Sequence, residues 1–142
     1  MRERCPSAQF RCVAKLKNHR VAFTRYSKSR GCGVADVVSD VGRDVWGVVY
    51  EIETVDIPSL DQSEGFQPGR PSEANAYIRK ERDVYVDGGD DRPLSVSLYI
   101  ANKEEKPPPP NASYKMLIVN GAKHWHLPID YVSVLEQVKV KD

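Results

Sequence analysis

Asp44-Val45-Trp46-Gly47-Val48-Val49-Tyr50-Glu51-Ile52 is a nearly unbroken apolar run, rich in β-branched and aromatic residues. A run of this kind suits a strand covered on both faces, so it is expected at the centre of the fold. Working back toward the N-terminus, Asp40 and Gly42 supply turn chemistry, and Val34-Ala35-Asp36-Val37-Val38 reads as a short strand. Gly31-Cys32-Gly33 before it allows backbone angles that other residues resist. Phe10–Leu16 and Arg20–Tyr26 each alternate apolar and polar residues, as half-buried strands do. Lys17-Asn18-His19 between them predicts a tight turn, and so a hairpin.

Downstream, a short helix is expected from about Asp56 to Ser63. Asp56 would be its N-cap, Pro58 suits its first turn, and Gly65 can close its end in a left-handed conformation. Gln67–Ser72 is loop chemistry and expected to be mobile. Ala76–Val86 and Leu94–Ala101 flank Asp87-Gly88-Gly89-Asp90-Asp91 and form a second hairpin. Pro107–Pro110 can be neither helix nor central strand and are expected to form a stiff surface connector. Asn111 then caps a helix to about Gly121. A last helix starts near Pro128, with Tyr131, Leu135 and Val138 on one face. The order β-β-β-β-α-β-β-α-α is α+β, a curled sheet or a small barrel.

One domain accounts for the whole of 1–142: a chain of 142 residues has no room for two full cores. Hydrophobic residues at 40% and charged residues at 29% exclude a disordered or membrane-embedded composition. With a net charge of +1 and scattered basic residues, nucleic acid is not an expected partner. Neither is a membrane, since no apolar run is long enough to span one. Cys5, Cys12 and Cys32 cannot all pair internally and lack the CxxC spacing, which favours a reducing, cytoplasmic setting.

Few residues announce chemistry. His124-Trp125-His126 lacks a third ligand at zinc-like spacing and reads better as a loop between helices than as a metal site. A Cys/His nucleophile is no better supported, with three of each type scattered through the chain. Glu64 is set apart by position. It lies between Leu60 and the helix terminator Gly65, where a carboxylate faces the negative end of the helix dipole and does nothing for the helix.

Cys5-Pro6-Ser7-Ala8-Gln9-Phe10 leading into Cys12-Val13-Ala14-Lys15-Leu16 resembles the early part of the γ-glutamylcyclotransferase family. So do Gly33-Val34-Ala35 and Asp44-Val45-Trp46-Gly47-Val48-Val49-Tyr50. Leu60-Asp61-Gln62-Ser63-Glu64-Gly65-Phe66 is similar to the family's active-site segment. Tyr114-Lys115, Gly121-Ala122-Lys123, Leu127-Pro128 and Tyr131 are similar to its C-terminal helical part. The resemblance runs in order from about Cys5 to Leu135.

It implies a small, mixed, partly open β-barrel with flanking helices. It also implies a reaction in which the nucleophile belongs to the substrate: the α-amine of a γ-glutamyl group attacks its own γ-carbonyl, closes 5-oxoproline and expels an amine or amino acid. Such chemistry asks for one general base and a pocket that folds the chain into the attacking shape, and for no metal or organic cofactor. Glu64 matches the family's catalytic glutamate. Tyr114 matches a tyrosine that contacts the glutamyl group, and Tyr99 and Tyr77 fall on strands that line the pocket. The resemblance also allows a homodimer. The family's opening Tyr-Gly-Ser-Asn loop has no counterpart in the 142 residues. Met1–Pro6 resembles the end of the helix that follows this loop, so the expectation is that Met1 is internal to a longer chain. Without the loop, the alternative is a non-catalytic member binding a small molecule or a protein through the same cleft.

Overall fold

The computed structural model describes residues 5–141. Strands β1 (Gln9–Ser27) and β2 (Cys32–Glu51) come first, followed by helix α1 (Ile57–Ser63). Strands β3 (Tyr77–Val86) and β4 (Pro93–Ala101), then helices α2 (Ala112–His124) and α3 (Ile129–Glu136), complete the order. The fold is α+β, a four-stranded antiparallel sheet in the order β2-β1-β3-β4. It is curled but open. The outer strands β2 and β4 meet through the Asp36 side chain, which accepts the Ala101 N–H at 3.0 Å, and not through a ladder, so the expected barrel is an open sheet.

The expected turns at Lys17–His19 and at Asp40–Gly42 do not reverse the chain. They lie opposite each other in one long hairpin, at a register shift between the pairs Lys17–Asp44 and His19–Ser39. Asn18 has φ +60° and Gly42 φ +88°, and the Asn18 Oδ1 accepts the Gly42 N–H at 3.1 Å. A tight hairpin turn of the common I′ type needs two successive left-handed residues. Lys17–His19 holds one, which bends a strand without ending it. The true reversal is at Lys28–Gly31, where the Gly31 N–H donates to the Ser27 carbonyl at 2.7 Å.

The Asp44–Ile52 run lies on an edge strand and not at the centre. It is apolar on both sides because both sides are covered. Val45 packs with Ala14, Leu16 and Val84, while Trp46 packs toward Val119, Ala122 and Leu135 of the helices. Val21 and Tyr131 touch both clusters and join them into a continuous core.

The helices end differently from expectation in three places. α2 continues past Gly121 to His124. α3 buries Val132 and Leu135, whereas Val138 lies beyond its end. At α1, the 3₁₀ turn Thr54–Asp56 already supplies helical geometry, so Asp56 does not cap with its side chain. Its carboxylate instead accepts the Ser7 N–H at 3.3 Å. The sequence reading of Met1–Pro6 as a helix end falls largely on residues 1–4, outside the described residues; Pro6 and Ser7 form a turn.

Pro107–Pro110 is a connector anchored to the fold and not a free surface segment, although Pro109 remains exposed. Pro110 is fully buried, the Pro109 carbonyl accepts the Gly33 N–H at 3.1 Å, and the Pro110 carbonyl accepts the Lys141 N–H at 2.9 Å. This strap ties β4, β2 and the start of α2 together.

Candidate active site

Glu64 stands where α1 stops. Its N–H donates to the Leu60 and Asp61 carbonyls, both at 3.1 Å, and the Phe66 N–H returns to the Asp61 carbonyl at 2.9 Å. Gly65 takes φ +68°, as a helix terminator does, and a Cβ there would lie 2.9 Å from the Ala76 Cβ. A Gly65→Ala substitution is therefore expected to cost about 1–3 kcal/mol through backbone strain. Thermal unfolding reads this as a Tm lowered by several degrees.

The Gln67–Ser72 loop is stitched in place by Asn75, which is buried. Its Oδ1 accepts the Gln67 N–H at 3.0 Å and the Arg70 Nε–H. Arg70 Nη2 also donates to the Gly65 carbonyl at 3.0 Å, and the Ala76 N–H reaches the same carbonyl at 3.1 Å. Glu64 is thus carried on a turn held from both of its sides.

Tyr77 and Tyr114 come from β3 and α2 and grip one residue of β2. Tyr77 Oη donates to the Ala35 carbonyl at 3.0 Å, and Tyr114 Oη accepts the Ala35 N–H at 2.9 Å. Tyr114 is fixed at the head of α2 by the Asn111 cap, whose Oδ1 accepts the Tyr114 N–H at 2.8 Å. The Arg30 guanidinium lies over the Tyr114 ring, 4.8 Å from its centroid. Tyr99, on β4, donates its hydroxyl to Asp61 Oδ1.

Burial raises the proton affinity of all three phenols and is the largest cause in each case. For Tyr99 the hydrogen bond to Asp61 comes next; for Tyr77 it is the neighbouring Tyr114. The charge of Glu64 raises all three as well. The four residues singled out in the sequence therefore share one electrostatic neighbourhood, although they come from α1, β3, β4 and α2. At neutral pH the phenols are protonated.

The sequence reading missed the supports of this cluster: the buried carboxylates Asp61 and Asp36, Asn75, and Arg79. Asp36 is satisfied by the Thr24 hydroxyl at 2.9 Å and by the Val37 and Ala101 N–H groups at 2.8 and 3.0 Å. The spacing of Asp61 three residues before Glu64, across the last turn of α1, was a usable signal. His124 ends α2 with its ring edge-on to Trp125. Among the described residues, no group of three or more His, Cys, Asp or Glu could hold a metal ion. An apolar cleft of about 210 Å³ between the sheet and the helices is lined by Trp46, Val48, Ile118 and Trp125, and by none of the four candidates. It touches their cluster only through Ala35.

Comparison with known proteins agrees with this architecture. The AIG2-like family model matches residues 44–135. The human γ-glutamylcyclotransferase is 32% identical, over 98% of this chain and 71% of the human protein. The mouse γ-glutamylcyclotransferase is also 32% identical, over 96% of this chain and 70% of its own length. A solved γ-glutamyl cyclotransferase structure superposes with a TM-score of 0.86 at 28% identity, covering 99% of this chain and 80% of that one. By sequence and by fold, the chain belongs to the γ-glutamylcyclotransferase family, within the AIG2-like proteins.

Proposed function

We propose that this protein cyclises small γ-glutamyl compounds, with Glu64 as the acid/base. The α-amine nitrogen of the glutamyl group attacks its γ-carbonyl carbon. A new C–N bond closes 5-oxoproline and the bond to the leaving nitrogen breaks. Glu64 takes the proton that the attacking amine must lose and returns it to the departing amine or amino acid. Tyr114 and Tyr77, seated on Ala35 within the field of Glu64, orient the glutamyl chain. Cys5, Cys12 and Cys32 are free thiols, in keeping with a reducing, cytoplasmic setting.

The observation that carries the reading is the convergence of Glu64 with tyrosines from three other elements in a family named for this reaction. A carboxylate beside half-buried, protonated phenols offers one group to move a proton and others to hold a substrate, without a cofactor. The test is 5-oxoproline release from a panel of γ-glutamyl dipeptides and γ-glutamylamines, run on this chain and on a version extended upstream. Release from any member supports the proposal. No release from either form would favour the non-catalytic binder.

A further inference from the structure

Arg79 and Tyr99 face each other as one rung of the β3–β4 ladder. Both side chains reach the same carboxylate. Tyr99 Oη donates to Asp61 Oδ1, and Arg79 Nη1 lies 3.5 Å from Asp61 Oδ2. Asp61 is 4% exposed and sits on α1, three residues before Glu64. A buried carboxylate is tolerated only where its charge and both oxygens are answered, and here one rung of the sheet answers them.

The other end of Asp61 points at the site. Its carbonyl accepts the N–H groups of Glu64 and Phe66, at 3.1 and 2.9 Å. Arg79 closes the arrangement, its guanidinium 5.7 Å from the centroid of the Phe66 ring. The side chain of Asp61 is thus locked to the sheet while its main chain holds the turn that bears Glu64. The Leu60 carbonyl shares the Glu64 N–H at 3.1 Å, and further tethers to that turn arrive through Gly65, on the far side of Glu64.

We infer that Asp61, Tyr99 and Arg79 form a positioning device that sets the Glu64 carboxylate, and that Tyr99 acts through Asp61 and does not contact the substrate. The catalytic part of this inference rests on the function proposed above. Its physical basis is that a base misplaced by about 1 Å can cost roughly 100-fold in rate while the binding groups stay where they are. Tyr77 and Tyr114, seated on Ala35, do not depend on the Asp61 seat.

The test uses Tyr99→Phe, which removes one oxygen and keeps the ring, with Asp61→Asn as a second variant in case the first unfolds. Two readouts are taken. In steady-state kinetics on a γ-glutamyl dipeptide, Tyr99→Phe should lower kcat by about 10- to 100-fold and leave KM within about threefold. The double variant should be no worse than the worse single one, because both break the same device. In amide hydrogen exchange, which needs no turnover, the Glu64 and Phe66 amides should exchange faster relative to those of α2. A raised KM at unchanged kcat would make Tyr99 a substrate contact and overturn the inference. Unchanged exchange at Glu64 and Phe66 would overturn it too. If the unmodified protein released no 5-oxoproline, the functional reading would fall, and the exchange measurement would still decide the device.

Discussion

Replacing Glu64 with glutamine is expected to lower 5-oxoproline release by about 10²- to 10⁴-fold, the usual worth of a well-placed general acid/base. The substitution keeps the length and shape of the side chain and removes its ability to take a proton. It leaves the main-chain bonds that end α1 in place, since those use the Glu64 N–H and the Leu60 and Asp61 carbonyls. The loss should therefore fall on kcat, with substrate binding retained. Turnover within about tenfold of the unmodified protein would remove Glu64 from the role of base, because no weaker effect fits a group that must deprotonate an ammonium.

Gly33→Ala should be the most damaging small substitution in the chain. A Cβ at residue 33 would lie 1.8 Å from the Pro108 carbonyl oxygen and 3.0 Å from its carbon. Both are main-chain atoms of a proline run, with no side-chain rotation to relieve the clash. The strap must leave β2 and give up the bond from the Gly33 N–H to the Pro109 carbonyl. A cost of about 2–4 kcal/mol is expected, at the upper end for overpacking. The site should suffer with it, because the strap leads into Asn111 and Tyr114, and Tyr114 is bonded to Ala35, two residues from Gly33. Gly121→Ala supplies the contrast. That glycine lies inside α2 with nothing within 4 Å of its missing Cβ, so alanine there should raise stability by about 0.5–1 kcal/mol. Urea unfolding of the two variants side by side checks both signs.

What could be read from the sequence was local. Pro58 and Gly65 bound α1, Asn111 caps α2, and the Asp87–Asp91 turn joins β3 to β4, because each signal acts within a few residues of itself. Asn18 and Gly42 were equally local as left-handed residues, but their consequence was not. Whether such a residue ends a strand or bends it depends on what the partner strand does opposite, and here both strands bend together. The proline run was misread for a similar reason. Its stiffness is written in its composition, whereas its anchoring depends on Gly33, more than seventy residues away in sequence. Glu64 and the tyrosines were singled out through the family resemblance, and the structure brings them into one neighbourhood. Asp61 stood in the quoted active-site segment without a role of its own, because its contacts exist only once the β3–β4 register sets Arg79 beside Tyr99. The Asp44–Ile52 run carried a correct message about two covered faces and a wrong one about centrality, since helices can cover an edge strand as well as a central one.

The central claim is that the substrate's own amine, and not water, attacks the γ-carbonyl under the control of Glu64. The most direct measurement is mass spectrometry of the product that this protein forms from a γ-glutamyl dipeptide in heavy-oxygen water. The account predicts 5-oxoproline without heavy oxygen, because cyclisation keeps the carbonyl oxygen of the substrate, and its loss in Glu64→Gln. Free glutamate carrying heavy oxygen would mean hydrolysis by water and would contradict it.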